Sequence, residues 1–425
     1  MKARESHPHF DSKVRESTNF AIREVKRVCK EIGPRPSGEE GEAKAQDYLE
    51  NLMKPMADSV EREKFDVHPK AFMSWVIIDS VSMIIASILM IVALTGVLGD
   101  TIGFIFKCAA GVLAAISIVL LLVEFLLYKQ FLDPIFPKRE SSNVICRYKS
   151  SGKTEKRIIF AGHMDSAYEW WFTHKGGSKL LLFMIIYGIG SLIFSAAVTA
   201  FSFTQLASSE TVKIVLIVIQ AVMLPAFILV TKFVNWKVCV MGANDNLTGV
   251  FASMAVIQYL KYNDIRFENT EVVAMATGCE EAGLRGAKAY ARAHSKEFDG
   301  EDVETVIVAV DTLHDFDYLA VYNKDMTGTV KLDKNLSLLT KTAAQTAGYD
   351  IPYATVTFGS SDAAAFQQGK IKSCALCAMD PSPARYYHTR DDMPEILDMK
   401  TMEAGVKILL ETAFLYDEQG LKDSY

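Results

Sequence analysis

His163 and Asp165 follow directly on the short apolar run Arg157-Ile158-Ile159-Phe160-Ala161. Glu280 and Glu281 follow the apolar run 271–277, and Asp311 ends the run 305–310. Continuous apolar runs of this length read as strands buried on both faces. Open α/β sheets build their sites at the carboxyl ends of strands. Three strands would therefore deliver carboxylates and an imidazole to one sheet edge, and these are ligand types that catalytic zinc takes. Asp245 stands just before a helical stripe of Leu247, Val250, Phe251, Met254 and Ile257 within 246–262. Taken alone it also reads as a helix cap. His388, within Tyr386-Tyr387-His388-Thr389-Arg390-Asp391-Asp392, reads alone as an exposed loop histidine, and Glu280-Glu281 reads alone as a solvated charge pair. Taken together, these residues form a constellation suited to holding divalent cations.

The motifs Gly162-His163-Met164-Asp165, Gly242-Ala243-Asn244-Asp245-Asn246, Glu280-Glu281-Ala282-Gly283-Leu284, Val310-Asp311 and Tyr387-His388-Thr389 occur in that order along the chain. In this order they resemble the M28 family of zinc metallopeptidases. The run Gly33-Pro34-Arg35 with Gly38, Glu42 and Ala43 looks like that family's N-terminal signature. The resemblance implies a zinc-exopeptidase fold of the α/β class, with a mixed, mostly parallel sheet flanked by helices. It also implies two zinc ions per chain. Asp245 would bridge them, with His163 and Asp311 completing one site and Glu281 and His388 the other. Two metals about 3.5–4 Å apart need such a shared group. Asp165 would orient His163 and set its tautomer. If the backbone is extended there, adjacent side chains diverge. Glu280 would then face the reacting water, first as general base and afterwards as general acid for the leaving amine. Tyr387, beside a ligand, would stabilise the tetrahedral oxyanion, or else simply pack. One departure bears on substrate contacts. The family's usual Ser-Asp-His-x-x-Phe stands here as Ser361-Asp362-Ala363-Ala364-Ala365-Phe366, and the lost histidine is not a metal ligand in the pattern.

The resemblance implies an exopeptidase, an aminopeptidase first of all, acting on short peptides with a free N-terminus. A single-zinc acyltransferase of the glutaminyl-cyclase type shares the architecture, but retention of both His163 and Asp311 argues against it. A non-enzymatic membrane scaffold on a peptidase fold would be expected to have lost ligands, and all five are present together with Glu280.

The strands and helices that must position these residues are interrupted by four apolar segments. They run over 72–98, 102–128, 180–209 and 211–234, and each is nearly free of charge. A helix needs about 20 residues to cross the hydrocarbon layer, so all four are long enough to span it. Short tips at Gly99-Asp100-Thr101 and Thr204 to Glu210 pair them into two transmembrane hairpins, 72–128 and 179–234. The catalytic domain is left in three parts, 1–71, 129–178 and 235–425. The tips contain no Lys or Arg, whereas Lys70, Lys129, Lys138, Arg139, Lys175, Lys179, Lys232 and Lys237 flank the other ends. The positive-inside rule then puts the catalytic domain on the cytoplasmic side. Trp75, Trp170, Trp171 and Trp236 lie beside the membrane boundaries, as an interfacial aromatic belt requires. Asp79 and Glu124, near the cytoplasmic ends, read as acids reaching toward the headgroups.

The rest of the composition sets limits on partners. With 45 basic against 51 acidic residues and a net charge of −6, the chain has no basic field for nucleic acid. Its partners are expected to be the lipid bilayer and a peptide. Seven cysteines include one pair, Cys374 and Cys377, inside an apolar run. With no second ligand pair for a structural zinc, they read as buried free thiols in a strand. No apolar segment of signal-peptide type follows the N-terminus.

Overall fold

The computed structural model describes residues 2–294 and 303–425. Along the chain run α1 (Phe10–Glu31), α2 (Glu40–Met53), β1 (Ser59–Val67), α3 (Ala71–Thr95), α4 (Gly99–Leu120), β2 (Arg139–Tyr148), β3 (Lys156–His163) and β4 (Tyr168–Trp170). Then come α5 (Trp171–Phe201), α6 (Glu210–Val230), β5 (Val234–Cys239), α7 (Thr248–Tyr262), β6 (Thr270–Thr277), α8 (Arg285–His294), β7 (Glu304–Leu313) and β8 (Leu319–Asp325). The chain ends with β9 (Val330–Lys331), α9 (Lys334–Thr346), β10 (Tyr353–Thr355), α10 (Asp362–Gln368), β11 (Lys372–Ala378) and α11 (Met399–Gln419). It divides into two compact units. One comprises residues 2–69, 138–168 and 237–425, and the other 70–137 and 169–236.

The first unit is built on a nine-stranded sheet in the order β1-β2-β6-β3-β7-β11-β8-β10, with β9 paired to β8. The four central neighbours β6, β3, β7 and β11 run parallel, and antiparallel β2 and β8 flank them. Parallel strands are covered on both faces, and the residues of β6 are buried throughout. Register aligns the ends that matter. His163 stands opposite Thr277, and Asp311 opposite Cys377. The carboxyl ends of four adjacent strands therefore open on one edge. Cys374 and Cys377 are buried free thiols in β11, as their apolar setting implied.

Helix α7 departs from the expected amphipathic stripe. It begins at Thr248 rather than Asn246, and it is buried on nearly every side, from Val250 and Phe251 to Tyr259 and Leu260. The cause is sandwiching, since α7 packs against β3, β6 and β7 on one side and α1 and α11 on the other. Close approach requires glycine at two points. A Cβ on Gly162 would lie 2.5 Å from the Val250 nitrogen, and one on Gly249 would lie 2.1 Å from the Val310 oxygen. Both obstacles are backbone, so neither can swing aside. The start of α7 is thereby pressed against β3 and β7 beside the residues of interest.

Within the second unit, α3, α4, α5 and α6 are long and apolar enough to cross a membrane. Their inner faces bury Met83, Ala86, Met90, Ala110, Ala114, Leu192, Leu216 and Phe227. Their outer faces leave Phe104, Ile105, Ile186, Phe194 and Ile214 more than half exposed. Contiguous apolar surface of this extent is rare on proteins surrounded by water.

Three details differ from the sequence reading. The first tip is Gly96–Leu98, because Gly96 takes a left-handed conformation that ends α3 and α4 already starts at Gly99. Helix α5 starts at Trp171 and is interrupted at Gly177 before its apolar run. Residues 129–137 and 169–178 accordingly go with the helical unit, where Leu132 packs with Ala71 and Leu120. Asp79 and Glu124 turn inward rather than toward headgroups. Both are buried, and the Glu124 carboxylate accepts the Leu132 N–H at 2.6 Å, closing the turn after α4. Trp75 packs on Phe125 and Trp170 on Phe233.

Candidate metal centre

The strand ends set the positions of three of the expected ligands. His163 is the last residue of β3, Asp311 lies near the end of β7, and Glu280-Glu281 follow β6 on a tight turn. That turn is not the extended segment expected. The Gly283 and Leu284 N–H groups both fold back onto the Glu280 carbonyl, at 2.8 and 2.7 Å. Asp245 sits in an irregular turn, Ala243–Leu247, ahead of α7. Asn246 pins that turn. Its amide donates to the Val310 carbonyl at 2.8 Å, and its oxygen accepts the N–H groups of Gly249 and Thr312 at 3.0 and 3.1 Å. His388 comes from the long loop after β11, and His388, Thr312 and Cys279 all hold positive φ. Such conformations persist only where the surroundings enforce them, and they gather at functional sites.

The structure brings the five expected ligands into two groups that share one residue. His163, Asp245 and Asp311 each offer an atom within 4.8 Å of the others, and so do Asp245, Glu281 and His388. The shared carboxylate divides its oxygens between them. Asp245 Oδ1 lies 3.1 Å from His163 Nε2, and Oδ2 lies 3.3 Å from His388 Nε2. Glu281 Oε1 stands 3.3 Å from His388 Nε2. Glu280 Oε2 lies 3.8 Å from His163 Nε2, and a third grouping joins His163, Glu280 and Glu281. Tyr387 lies with its ring 4.0 Å from that of His388.

Asp165 does more than orient an imidazole. His163 Nδ1 is 3.3 Å from its carbonyl oxygen and 3.4 Å from its carboxylate, which favours the proton on Nδ1 and leaves Nε2 free as a ligand. The same carboxylate also accepts the N–H groups of Glu280 and Glu281, at 3.0 and 3.1 Å.

Sequence reasoning missed two further supports. Asp392 is fully buried and accepts the N–H groups of Asn244 and Asp245, at 2.8 and 3.1 Å, so it anchors the shared ligand from behind. Arg35, also fully buried, donates to the carbonyls of Gly33, Met164, Met241 and Gly242, tying the His163 loop to the Asp245 loop. Arg35 lies in the N-terminal signature and Asp392 sits four residues after His388. Those positions were the only hint the sequence held.

The electrostatics fit a doubly charged ligand. Burial raises the proton affinity of Glu280, and the Glu281, Asp362 and Asp311 carboxylates raise it further, so its pKa stands well above the usual range. Burial, then the charge of Asp245, lifts Asp311 to about 7. For His163 burial opposes protonation, but Glu280, Asp165 and Asp245 outweigh it and push the pKa well up. His388 is driven to about 10 by Glu281 and Asp245 against the same burial. Asp245 moves the other way, because its two histidine partners overcome its burial and hold it well below the usual range. Desolvated like charges repel strongly. Glu281 Oε1, meanwhile, is buried and faces His388 Nε2 at 3.3 Å. A set of carboxylate oxygens around two imidazole nitrogens answers that repulsion by coordinating divalent metal, and the donor types suit zinc.

The sequence model of peptidase family M28 matches residues 227–413. No curated protein matches the chain. Among solved structures, a glutaminyl cyclase from Fimbriiglobus ruber superposes with a TM-score of 0.56 at 15% identity, covering 94% of this chain and 95% of that one. A leucine aminopeptidase precursor from Bacteroides thetaiotaomicron gives 0.54 at 13%, covering 93% and 96%. A zinc aminopeptidase from Bacillus subtilis gives 0.53 at 14%, covering 94% and 95%.

Proposed function

We propose that this chain, which has the M28 zinc-peptidase fold, is a membrane-bound two-zinc aminopeptidase. The observation that carries this reading is the divided carboxylate of Asp245, one oxygen toward His163 and the other toward His388. Two metals close together need one shared group, and a carboxylate that turns one oxygen to each histidine supplies it. His163 and Asp311 would hold one zinc, Glu281 and His388 the other, and Asp245 both. Zinc, when bound, supplies Lewis acidity toward the scissile carbonyl and lowers the pKa of the attacking water. Glu280 takes the proton from that water and returns it to the leaving amine, and its raised proton affinity suits both halves of the task. The Tyr387 phenol, kept protonated by burial and the surrounding carboxylates, donates to the developing oxyanion. Asp165 holds His163 and the two glutamate amides in place.

The substrate is a short peptide with a free N-terminus. Incubating the purified full chain with a library of free and N-acetylated peptides is expected to release N-terminal residues from the free set only, and a chelator is expected to stop it. Equal cleavage of the acetylated set, or internal cleavage, would overturn the exopeptidase reading. A second reading, a single-zinc acyltransferase, is favoured by the superposition on a glutaminyl cyclase. In the same library it would yield cyclised N-terminal glutamine and no free amino acids.

The helical unit anchors the enzyme in the bilayer with the first unit on the cytoplasmic side. Lys70, Lys129 and Lys138 flank the first pair of helices, while the tip Gly96–Leu98 and the stretch 202–209 have no Lys or Arg. A cysteine placed at Ser208, with Cys108 replaced by serine, is expected to react with an impermeant maleimide in intact cells. Labelling only after permeabilisation would reverse the topology.

A further inference from the structure

Glu42 in α2 is almost completely buried, at 1% exposure. Its carboxylate is spent on the backbone ahead of the catalytic pair. Oε1 accepts the Cys279 N–H at 2.7 Å, and Oε2 accepts the Gly38 N–H and the Ser141 hydroxyl, both at 2.8 Å. Cys279 immediately precedes Glu280 and holds φ +53°, a conformation that side-chain-bearing residues seldom adopt. The next two amides, of Glu280 and Glu281, donate to Asp165. Three consecutive N–H groups thus end on two buried carboxylates. Ser37 joins the two holders from the same N-terminal segment, donating to Asp165 Oδ2 at 2.6 Å.

Fixing three successive peptide planes fixes the directions in which the Glu280 and Glu281 side chains leave the backbone. Three donors converging on the two oxygens of one buried carboxylate hold these planes in a single arrangement. No neutral isostere can replace it. A glutamine has one acceptor oxygen, so it can serve either Cys279 or the Gly38–Ser141 pair, and its amide group then meets an N–H donor head on.

We infer that Glu42 is a positioning residue for the general base: it holds Cys279 in its left-handed conformation and so aims Glu280 at the reacting water. This inference rests on the peptidase reading of Glu280. The test is steady-state kinetics of the full chain on the best-cleaved library peptide, for Glu42→Gln, Glu280→Gln and the double variant, with zinc content measured in parallel. Glu42→Gln is expected to lower kcat by about 10- to 100-fold, the scale of a small misplacement of a reacting group. KM should stay within about twofold and zinc content should stay unchanged. In the Glu280→Gln background the further change is expected to alter the residual rate by less than about twofold, because its effect passes through a group already removed. An unchanged kcat, a loss expressed in KM, or an undiminished loss in the double variant overturns the inference. Full activity of Glu280→Gln alone would instead overturn the peptidase reading beneath it. If Glu42→Gln does not fold, Ser141→Ala removes one donor from the same carboxylate. It should lower kcat by about two- to fivefold at constant KM, and an unchanged kcat there overturns the inference equally.

Discussion

Replacing Glu280 by glutamine is expected to lower kcat by about 10²- to 10⁴-fold, the range for loss of a general base, while zinc content stays at the wild-type level. Glutamine keeps the size and most of the hydrogen-bonding shape of the side chain but cannot carry the proton between water and leaving amine. The geometry makes the metal measurement decisive. Glu280 Oε2 is only 3.8 Å from His163 Nε2, and Glu280 forms a grouping of its own with His163 and Glu281. If Glu280 were a ligand, the variant would lose zinc and activity together. If it is the base, activity alone falls. Elemental analysis of the purified variant beside its kinetics separates the two, and wild-type turnover would remove Glu280 from the mechanism altogether.

Asp245→Ala is expected to abolish activity and to empty both metal positions at once. Each of the other ligands belongs to one group of the shared pair, whereas Asp245 offers an oxygen to both. Residues that merely orient ligands are worth about 10- to 100-fold in metal affinity, so a ligand common to two metals must be worth more than that at each. His388→Ala, by contrast, should strip one position and leave His163, Asp245 and Asp311 to hold the other. Zinc content near one per chain in His388→Ala and near zero in Asp245→Ala is the pattern to look for. Similar zinc content in the two variants would contradict the sharing.

How much of this was legible in the sequence depended on how local its cause was. His163, Asp311 and the Glu280-Glu281 pair were visible because each closes an apolar run that had to be a buried parallel strand, and strand ends converge at one edge. The helical hairpins were legible for a similar reason, since each segment is an apolar run of membrane-spanning length. Their ends were less so. Gly96 and Gly177 decide where α3 stops and where α5 breaks, and a glycine does not announce which way it will turn.

The supports of the centre were hidden because their partners are remote. Asp392 serves amides 147 and 148 positions away, and Glu42 serves one 237 positions away. A buried carboxylate that accepts backbone N–H groups leaves no periodic trace. The tight turn after Cys279 was likewise unforeseen, because its left-handed residue is not a glycine and is held by Glu42 rather than by its own preference.

The two-zinc reading meets its most direct test in the metal content of the full chain, purified without chelator, dialysed against excess zinc and then freed of loosely held ions. It predicts two tightly bound zinc ions per chain, both removed by a strong chelator together with the peptidase activity and both restored with it. One tightly bound zinc in a chain that cyclises N-terminal glutamine, or none in a chain that still cleaves peptides, would contradict it.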